Sequence, residues 1–387
     1  MVEKQRTCNH LLLLVGSNPL PNFLATLVFN PKTVRLFHSP ETEAVKDILK
    51  KIITARCTGV SLSETCIGDA TDAAKVRSAF TSIPNDAHLH YTGGTKIMAA
   101  HARMAFREAN GHDDHASYLD ERKGVIRFDD GYKIDISKER LALTIDDVLG
   151  LHGIQPISKD GPFDPEPSVE DARKIAKAVL RDSNLATTLY NLHRKDGKRI
   201  SLKEAKARPK SMSEYNLCLS ASQVPENQWN NKTYEKWCDF LGGGWLEAWC
   251  GDLVREIADK SMVSIGLDCK LASGRQFEID VALVRGYRLY VISCTTDTKI
   301  NMCKSKLFEV AMRARQLGGD LARSALVCLL QGSDSKGAFV DQLRYDVADV
   351  WDAPNTPQVF GLYHLKEWVG MNDSPPKRDS LKNWLDS

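Results

Sequence analysis

The sequence has no long apolar run, no excess of either charge and no paired cysteines. Its most apolar stretch near the N-terminus, residues 11–15, is far shorter than the ~20 residues that a membrane-spanning helix needs. It is also followed by no signal-peptide cleavage pattern, so we expect a protein that is not exported and has no membrane partner. The 52 basic residues nearly balance the 50 acidic ones, and any basic binding surface must therefore be local.

The ten cysteines are scattered, with no CxxC pair and no neighbouring histidine that would complete a zinc site. This pattern is typical of reduced thiols in a cytoplasmic protein and gives no support to a disulfide scaffold. At 387 residues the chain is too long for one ordinary hydrophobic core. We therefore expect two domains with an intervening module.

Residues 1–150 predict an α/β domain. Short apolar strands such as LLLLVGS and TVRLFHS alternate with amphipathic helices such as ETEAVKDILKKIITA and IMAAHARMAFREA. This alternation favours an open, largely parallel sheet with helices on both faces.

The residue composition changes in residues 153–168, where four prolines and three acidic residues occur and no helical periodicity is present. We expect a domain boundary here. Residues 151–232 are predicted to form a linker and a small helical, winged-helix-like insert, with helices in VEDARKIAKAVLRD and LATTLYNLHRK. In residues 233–387 a helix, two antiparallel strands, a helix and another strand predict an α+β domain.

Three polar strand ends predict a ligand site in the N-terminal domain. In YTGGTK two glycines allow the backbone to approach a ligand, while two threonines and a lysine lie where a helix begins. The spacing differs from that of an NTP-hydrolysing P-loop, and a glycine-rich turn without a ligand is the alternative. The other two ends lie where open α/β sheets bind ligands. The candidate ligand-binding residues are Ser17, Asn18, Ser39, Thr92, Gly93, Gly94, Thr95 and Lys96.

The stretches VGSNPLPN, LFHSPETE and HYTGGTK resemble the CARF domain, the CRISPR-associated Rossmann fold, over roughly residues 9–140. Domains of that family sense cyclic oligoadenylates made by type III CRISPR complexes, and the ligand lies across a two-fold axis between two such domains. The resemblance implies a Rossmann-like domain and a homodimer. It also implies that residues 92–96 of each chain contact cyclic tetra-adenylate, assisted by Ser17, Asn18 and Ser39.

In FEIDVALVRGYRLYVISCTT, residues 277–296, two apolar strands flank a glycine turn, and the first carries Glu278 and Asp280. Metal-dependent nucleases need two or three carboxylates and a lysine near the attacking water. Residues 240–330 resemble the PD-(D/E)xK restriction-endonuclease-like family, particularly the CARF-fused effector nucleases of type III CRISPR systems. The resemblance implies that Glu247 and Asp280 are catalytic and bind Mg²⁺ or Mn²⁺.

The second strand departs from that family's ExK pattern, because Ser293 stands in place of glutamate and Thr295 in place of lysine. Hydroxyls are poor Mg²⁺ ligands beside carboxylates and carry no positive charge. One hypothesis is that the missing groups have moved to the following helix. This hypothesis adds Lys304 and Lys306 as catalytic residues and Glu309 as a metal ligand. The alternative is that all three lie on a solvated helix face.

Other residues near this strand favour plainer interpretations. Asp297 and Lys299 repeat a DxK pattern four residues later, but a shift of ~13 Å along the strand is too large for them to share one metal. Cys294 alternates to the opposite strand face from the hydroxyl residues and is predicted to be a buried thiol. His88 and His90 are predicted to be structural. Basic residues that favour a nucleic-acid-binding face are Lys299, Lys304, Lys306, Arg313, Arg315 and Arg323.

Together these features predict a cytoplasmic, dimeric effector in which cyclic oligoadenylate, with cyclic tetra-adenylate as the expected ring, activates a metal-dependent endonuclease that cleaves DNA or RNA. Two alternatives stay open. One is a catalytically inactive cyclic-nucleotide sensor or nucleic-acid-binding module. The other is a ring nuclease that cleaves its own ligand in the N-terminal pocket without metal.

Overall fold

A computed structural model describes residues 6, 8–139, 141–158, 167–207, 230–331, 339–351, 355–371 and 374–387. Parts of the predicted linker and insert, residues 159–166 and 208–229, lie outside the described residues. Among the described residues, no helix is long and apolar enough to cross a membrane.

The N-terminal sheet has seven strands in the order β3-β2-β1-β4-β5-β6-β7. The first five are parallel and the last two are antiparallel, in agreement with the α/β prediction. Its strands are β1 His10–Leu14, β2 Thr33–His38, β3 Ser61–Cys66, β4 Ala87–His90, β5 Ala116–Asp120, β6 Val125–Phe128 and β7 Lys133–Asp135. Its helices are α1 Leu20–Phe29, α2 Glu43–Arg56, α3 Ala73–Ser78, α4 Lys96–Glu108 and α5 Ile145–Leu151.

The leucine run of β1 explains its central position. Side chains alternate between the two faces of a strand, and Leu11 and Leu13 pack in one hydrophobic core while Leu12 and Leu14 pack in another. Strand β1 lies between β2 and β4, so the order of the strands reverses at this point. The loops that leave β1 and β4 therefore begin at the same edge of the sheet, where ligands bind in open α/β folds.

The C-terminal sheet has six strands in the order β15-β14-β13-β12-β11-β8. The pairs β8–β11, β11–β12 and β12–β13 are antiparallel, whereas the pairs β13–β14 and β14–β15 are parallel. The strands are β8 Gln155–Ser158, β11 Val263–Lys270, β12 Gln276–Arg285, β13 Arg288–Thr295, β14 Arg323–Cys328 and β15 Gln358–Phe360. This arrangement agrees with the predicted α+β class.

The remaining described elements are mostly helical. They are α6 Val169–Arg181, α7 Asn184–Asn191, the short strands β9 Arg194–Lys195 and β10 Lys198–Arg199, α8 Leu202–Ala207, α9 Asn231–Asp239, α10 Trp245–Ile257, α11 Ile300–Gly318, α12 Phe339–Val350, α13 Leu362–Val369 and α14 Asp379–Asp386. A glycine-rich π-helical turn, Phe240–Gly244, joins α9 to α10.

The segment between the two predicted domains is joined closely to the C-terminal sheet. Strand β8, which lies where the sequence predicts a linker, pairs with β11. Helix α6 buries Ala172, Ile175 and Val179 in the same core as α10 and β13. These side chains recur at helical spacing and need an apolar partner, which α10 supplies.

The two sheets also share one hydrophobic core. Leu149 of α5 packs in the same cluster as Leu13 of β1, Ile279 of β12 and Leu317 of α11. Gly124, which has a positive φ of 61°, lies against the ring of Tyr287 and leaves no space there for a side chain. The junction is therefore a packed interface, through which a change in one half can reach the other.

Candidate functional site

The loops after β1 and β4 pack backbone against backbone. A β-carbon at Gly93 would collide with the carbonyl oxygen of Leu14, and one at Gly16 would lie 2.7 Å from the amide nitrogen of Gly94. Gly94 also has a φ of 76°, a conformation that favours glycine. The TGG sequence is therefore required for the two loops to meet, whether or not a ligand binds there.

The threonine hydroxyls of this loop are already hydrogen-bonded within the protein. The Thr92 hydroxyl oxygen accepts a hydrogen bond from the Leu119 N–H and lies 2.9 Å from Nε2 of His90. Thr95 caps α4 by accepting from the Met98 N–H at 3.1 Å, and its hydroxyl donates to the Ala70 carbonyl oxygen at 3.2 Å. Both side chains fix the shape of the loop, and their contact with a ligand stays a prediction.

The other candidate ligand residues differ in exposure. Lys96, at the first position of α4, and Ser17 are exposed, whereas Ser39 is buried. Asn18 is half-buried, and its Oδ1 accepts the Leu20 N–H at 3.1 Å. Lys96 is exposed and lies beside the N–H groups at the start of α4. This loop therefore has a positively charged position that is suited to a phosphate.

Two buried histidines continue inward from Thr92. His90 Nδ1 lies 3.0 Å from the Ser117 hydroxyl, and His88 Nε2 lies 2.7 Å from that same hydroxyl. Burial lowers the pKa of His90 to about 3 and lowers that of His88 well below its ordinary value. Both rings are therefore neutral at physiological pH and connect the ligand loop to β5.

In the C-terminal domain, acidic residues from two elements meet a helix that carries a lysine. The β12–β13 register that pairs Val281 with Ile292 brings Asp280 opposite Ser293. One pocket at this point is lined by polar residues of β12, β13 and α11. They are Glu278, Asp280, Ser293, Lys306, Glu309 and Arg313.

Glu247 reaches the same region from α10. The preceding turn contains Gly243 with a φ of 152°, outside the helical range, and this residue changes the chain direction before α10 begins. Burial raises the pKa of Glu247 well above its ordinary value, and the neighbouring carboxylates of Asp280 and Glu278 raise it further. The Lys306 ammonium group acts in the opposite direction on all three carboxyl groups.

Two donors hold the Asp280 carboxylate. Its Oδ2 accepts the Cys294 N–H at 2.6 Å and the Ser293 hydroxyl at 3.1 Å. Burial raises the pKa of Asp280, while these two hydrogen bonds oppose that effect. The serine that replaces the family's glutamate therefore orients Asp280, and its shorter side chain adds no further negative charge.

The structure separates the two candidate lysines. Lys306 lines the pocket, whereas the Lys304 Nζ donates to Asp346 of α12 at 2.9 Å. Thr295, in the family's lysine position, accepts the Asp297 N–H through its hydroxyl at 3.2 Å. Of the groups suggested for the migrated set, Lys306 and Glu309 thus lie together with Asp280.

Glu278 is a pocket residue that the sequence-based assignment omitted. It is two residues before Asp280 on β12 and so shares its strand face, which was the available signal. Although the side chain as a whole is exposed, desolvation of its carboxyl group and the nearby Asp280 raise its pKa. Arg313, which also lines the pocket, stacks over the Phe277 ring at 4.4 Å from its centroid.

The donor chemistry of this site suits a divalent cation, but the described residues do not form a closed cage. Within them, no group of three or more His, Cys, Asp or Glu side chains is arranged to hold a metal ion. Mg²⁺ commonly binds through only one or two carboxylates, with water and substrate phosphates as the other ligands. The crowded carboxylates of Glu247 and Asp280 fit that mode, because a cation would offset their mutual repulsion.

Cys294 is buried next to this site, and its side chain packs in the same core cluster as Cys250. Burial raises the pKa of its thiol well above the ordinary value, and the neighbouring Cys250 thiol raises it further. A thiol in this state is a poor nucleophile, which fits the interpretation of Cys294 as a structural residue.

Comparison with known proteins supports both halves of this description. The family model of the Card1-like endonuclease domain matches residues 234–345. Can2 from Sulfobacillus thermosulfidooxidans, solved in complex with cyclic tetra-adenylate, superposes with a TM-score of 0.67 and 19% identity, over 93% of this chain and 99% of that chain. Protein VC1899 from Vibrio cholerae has a TM-score of 0.68 and 17% identity, over 98% of each chain.

A more distant match is a type III CRISPR defence DNA nuclease activated by cyclic oligoadenylate. Its TM-score is 0.52 at 17% identity, over 86% of this chain and 47% of that chain. No curated protein matches the sequence. The resemblance stated from the sequence is therefore confirmed at the level of fold and domain: residues 234–345 match the Card1-like endonuclease domain, and the chain has the fold of Can2 and VC1899.

Proposed function

We propose that this protein is a cyclic oligoadenylate-activated endonuclease that hydrolyses phosphodiester bonds of nucleic acid. Cyclic tetra-adenylate is the activator to test first, because it is the ligand in the Can2 structure. DNA is the first substrate to assay, because the type III CRISPR neighbour is described as a DNA nuclease. The Card1-like domain match supports the class of reaction.

One observation supports the link between ligand binding and cleavage: α11 lines the acidic pocket, and the residues just past its C-terminal end contact the N-terminal domain. This helix has 19 residues and is about 28 Å long. Lys306 and Glu309 line the acidic pocket. Beyond the helix end, the Asp320 N–H donates to Glu121 of the N-terminal domain at 2.9 Å.

The loop after β1, which carries Asn18, reaches this end of α11. A methyl group added at Gly319 would lie 2.5 Å from Nδ2 of Asn18 and 2.8 Å from Oε2 of Glu121. The Leu317 carbonyl oxygen lies 2.9 Å from Nε2 of His152. A ligand that displaces the loop around Asn18 would thus press on the helix that supplies the pocket's lysine, which gives the binding a direct route to the site.

The pocket residues and the neighbouring Glu247 divide the chemistry among them. Glu247 and Asp280 would hold a divalent cation, which polarises the phosphate and activates a water molecule when it is bound. Ser293 and the Cys294 N–H hold one oxygen of Asp280, which leaves the other oxygen to face the pocket. Lys306 supplies the positive charge that Thr295 lacks, and Glu278 and Glu309 keep the pocket acidic.

A catalytically inactive sensor is the second candidate. Ser293 and Thr295 favour it, because they replace the glutamate and lysine of the ExK pattern. A ring nuclease is tested by the same assay, in which the ligand is followed alongside the substrate. Cleavage of the substrate only when the ligand is present supports an activated endonuclease. Cleavage without the ligand would contradict activation, and loss of the ligand without cleavage of the substrate would indicate a ring nuclease.

The assay incubates plasmid and single-stranded DNA and RNA with the full chain, with and without cyclic tetra-adenylate and Mn²⁺. We expect cleavage only when both are present. Asp280→Ala should lower the rate by at least about a hundredfold, because it removes the best-held carboxylate of the pocket. Asp349→Ala, at an exposed aspartate of α12, is the matched control. Unchanged cleavage by Asp280→Ala would refute the site, and ligand loss without cutting would favour a ring nuclease.

We further propose that the protein is a homodimer located in the cytoplasm. Helix α4 starts at the ligand loop and exposes Ile97 and Met104, which are seven residues apart and therefore lie on one helix face. An apolar strip beside a ligand loop suits contact with a second copy across a two-fold axis. Light scattering on the purified chain, with an expected mass twice that of the monomer, tests this.

A further inference from the structure

A short basic hairpin, residues 194–199, contacts the end of α9 and the glycine-rich turn that precedes Glu247. Strands β9 and β10 pair antiparallel, with Lys195 opposite Lys198 and Arg194 opposite Arg199. The turn residues Asp196 and Gly197 have positive φ values of 50° and 76°, the pattern of a tight two-residue hairpin turn. The hairpin is thus a defined, short projection from the end of α7.

The hairpin concentrates positive charge. Four of its six residues are basic, and Lys195, Lys198 and Arg199 are exposed. The two lysines lie directly opposite each other on the ladder, and like charges in that position destabilise a strand pair. Within the described part of the chain, neither lysine forms an ion pair. Such an uncompensated pair is the arrangement that a polyanion would stabilise.

Contacts at its base hold the hairpin against the end of α9 and the glycine-rich turn that follows it. The Arg199 guanidinium group pairs with Asp239, the last residue of α9, just before the glycine-rich turn that leads to Glu247. Asp239 is close enough to the pocket to raise the pKa of both Glu247 and Glu278.

A second contact joins the hairpin to the same turn. The Arg194 guanidinium group stacks 3.9 Å from the Tyr190 ring centroid and donates to the Tyr190 carbonyl oxygen at 2.7 Å. A methyl group added at Gly242 would lie 3.4 Å from this guanidinium group. In the same turn, a methyl group at Gly243 would lie 3.9 Å from Thr296, just past the end of β13.

We propose that the hairpin at residues 194–199 binds backbone phosphates of the nucleic-acid substrate beside the cleavage site. This inference rests on the proposed nuclease function. The pocket itself is rich in carboxylates and repels a polyanion, so the substrate needs a cationic contact outside it. Lys195 and Lys198 contact backbone phosphates and read no sequence, because phosphate contacts carry none.

The test measures binding separately from cleavage. Fluorescein-labelled single-stranded and duplex DNA and single-stranded RNA are titrated with full-length Asp280→Asn protein, in the presence of cyclic tetra-adenylate and over a range of KCl concentrations. Adding Lys195→Ala and Lys198→Ala should weaken binding by about fivefold or more at low salt. The slope of log affinity against log salt should fall in magnitude by about one to two.

The matched control is Lys174→Ala with Lys177→Ala, two exposed lysines three residues apart on α6. The control removes the same charge and should leave both affinity and salt slope close to those of the parent. The proposal is overturned if the hairpin variant binds like the parent, if the control weakens binding equally, or if the parent binds no nucleic acid.

Cleavage by the otherwise unmodified chain separates the two proposals. If the chain cuts but Lys195→Ala with Lys198→Ala neither weakens binding nor raises KM, the nuclease function stands and the hairpin has no role in it. If the chain never cuts but the hairpin variant still loses affinity and salt dependence, the hairpin binds nucleic acid and the nuclease function fails.

Discussion

The two candidate sites of this protein differ in how their polar groups are paired. At the N-terminal ligand loop, polar side chains are satisfied within the protein: Thr92 bonds to His90 and the Leu119 N–H, and Thr95 caps α4. At the C-terminal pocket, Glu247 and Asp280 crowd together, and burial raises the pKa of each. The hydrogen bonds of the loop fix its shape, whereas the carboxylates of the pocket repel one another, and a bound cation would offset that repulsion.

This difference also explains how each site tolerates sequence change. The ligand loop depends on glycine backbone contacts that a single β-carbon would break, so its sequence has little freedom. The pocket depends on which charged groups lie together, and a charged group can be supplied by a different helix or strand. Lys306 of α11 enters the pocket that lacks a lysine at Thr295 of β13.

The largest effect is expected from exchanging the lysine positions. Lys306→Ala should lower ligand-activated cleavage by about a hundredfold, because the pocket loses its lysine. Thr295→Lys added to Lys306→Ala should restore a measurable part of that rate, since residue 295 has the strand position of the family's lysine. Lys304→Ala, whose parent side chain pairs with Asp346, should change the rate by less than about threefold. A larger loss from Lys304→Ala than from Lys306→Ala would contradict the migrated lysine.

A smaller effect is expected at the junction between the two sites. Glu121→Ala removes the acceptor for the Asp320 N–H and should lower ligand-activated cleavage about fivefold to tenfold, with little change in cyclic tetra-adenylate affinity. Glu121→Gln should retain activation, because its amide oxygen can still accept that hydrogen bond. Arg122→Ala, at the exposed next residue, is the control. Equal activation by Glu121→Ala and the parent protein would show that this contact does not couple the sites.

The sequence predicts most of the fold because its periodicities are local. The leucine run of β1 and the alternating strands β12 and β13 have the expected classes and partners. The pairing of β8 could not be predicted in the same way. Its four residues include a proline, and its pairing with β11 joins segments more than 100 residues apart in the chain.

The candidate site is predictable only in part, for a similar reason. The resemblance indicates Asp280 and Glu247. Lys304 and Lys306 are two positions apart on α11 and point about 160° away from each other, so only one of them can face the pocket, and spacing alone does not say which. The ion pair with Asp346 that holds Lys304 depends on the packing of α12, which spacing does not reveal. The donation from Ser293 to Asp280 depends on strand register, which the hairpin turn sets only in three dimensions. Contacts between distant elements therefore decide which candidates meet.

The smallest expected effect is on stability, and it tests the charge crowding without any assay of cleavage. A carboxyl group whose pKa is higher in the folded than in the unfolded protein contributes stability at low pH that is lost as the pH rises through the folded-state pKa. Burial raises the pKa of Asp280, so ionisation at neutral pH opposes folding in the absence of metal. Metal-free Asp280→Asn should therefore melt higher than the parent by about 2 °C or more at pH 7–8, with a smaller difference near pH 4. Mn²⁺ should raise the Tm of the parent more than that of Asp280→Asn, because the carboxylate is a ligand. Asp349→Asn should show neither trend, and a Tm difference for Asp280→Asn that is independent of both pH and Mn²⁺ would contradict the crowded pocket.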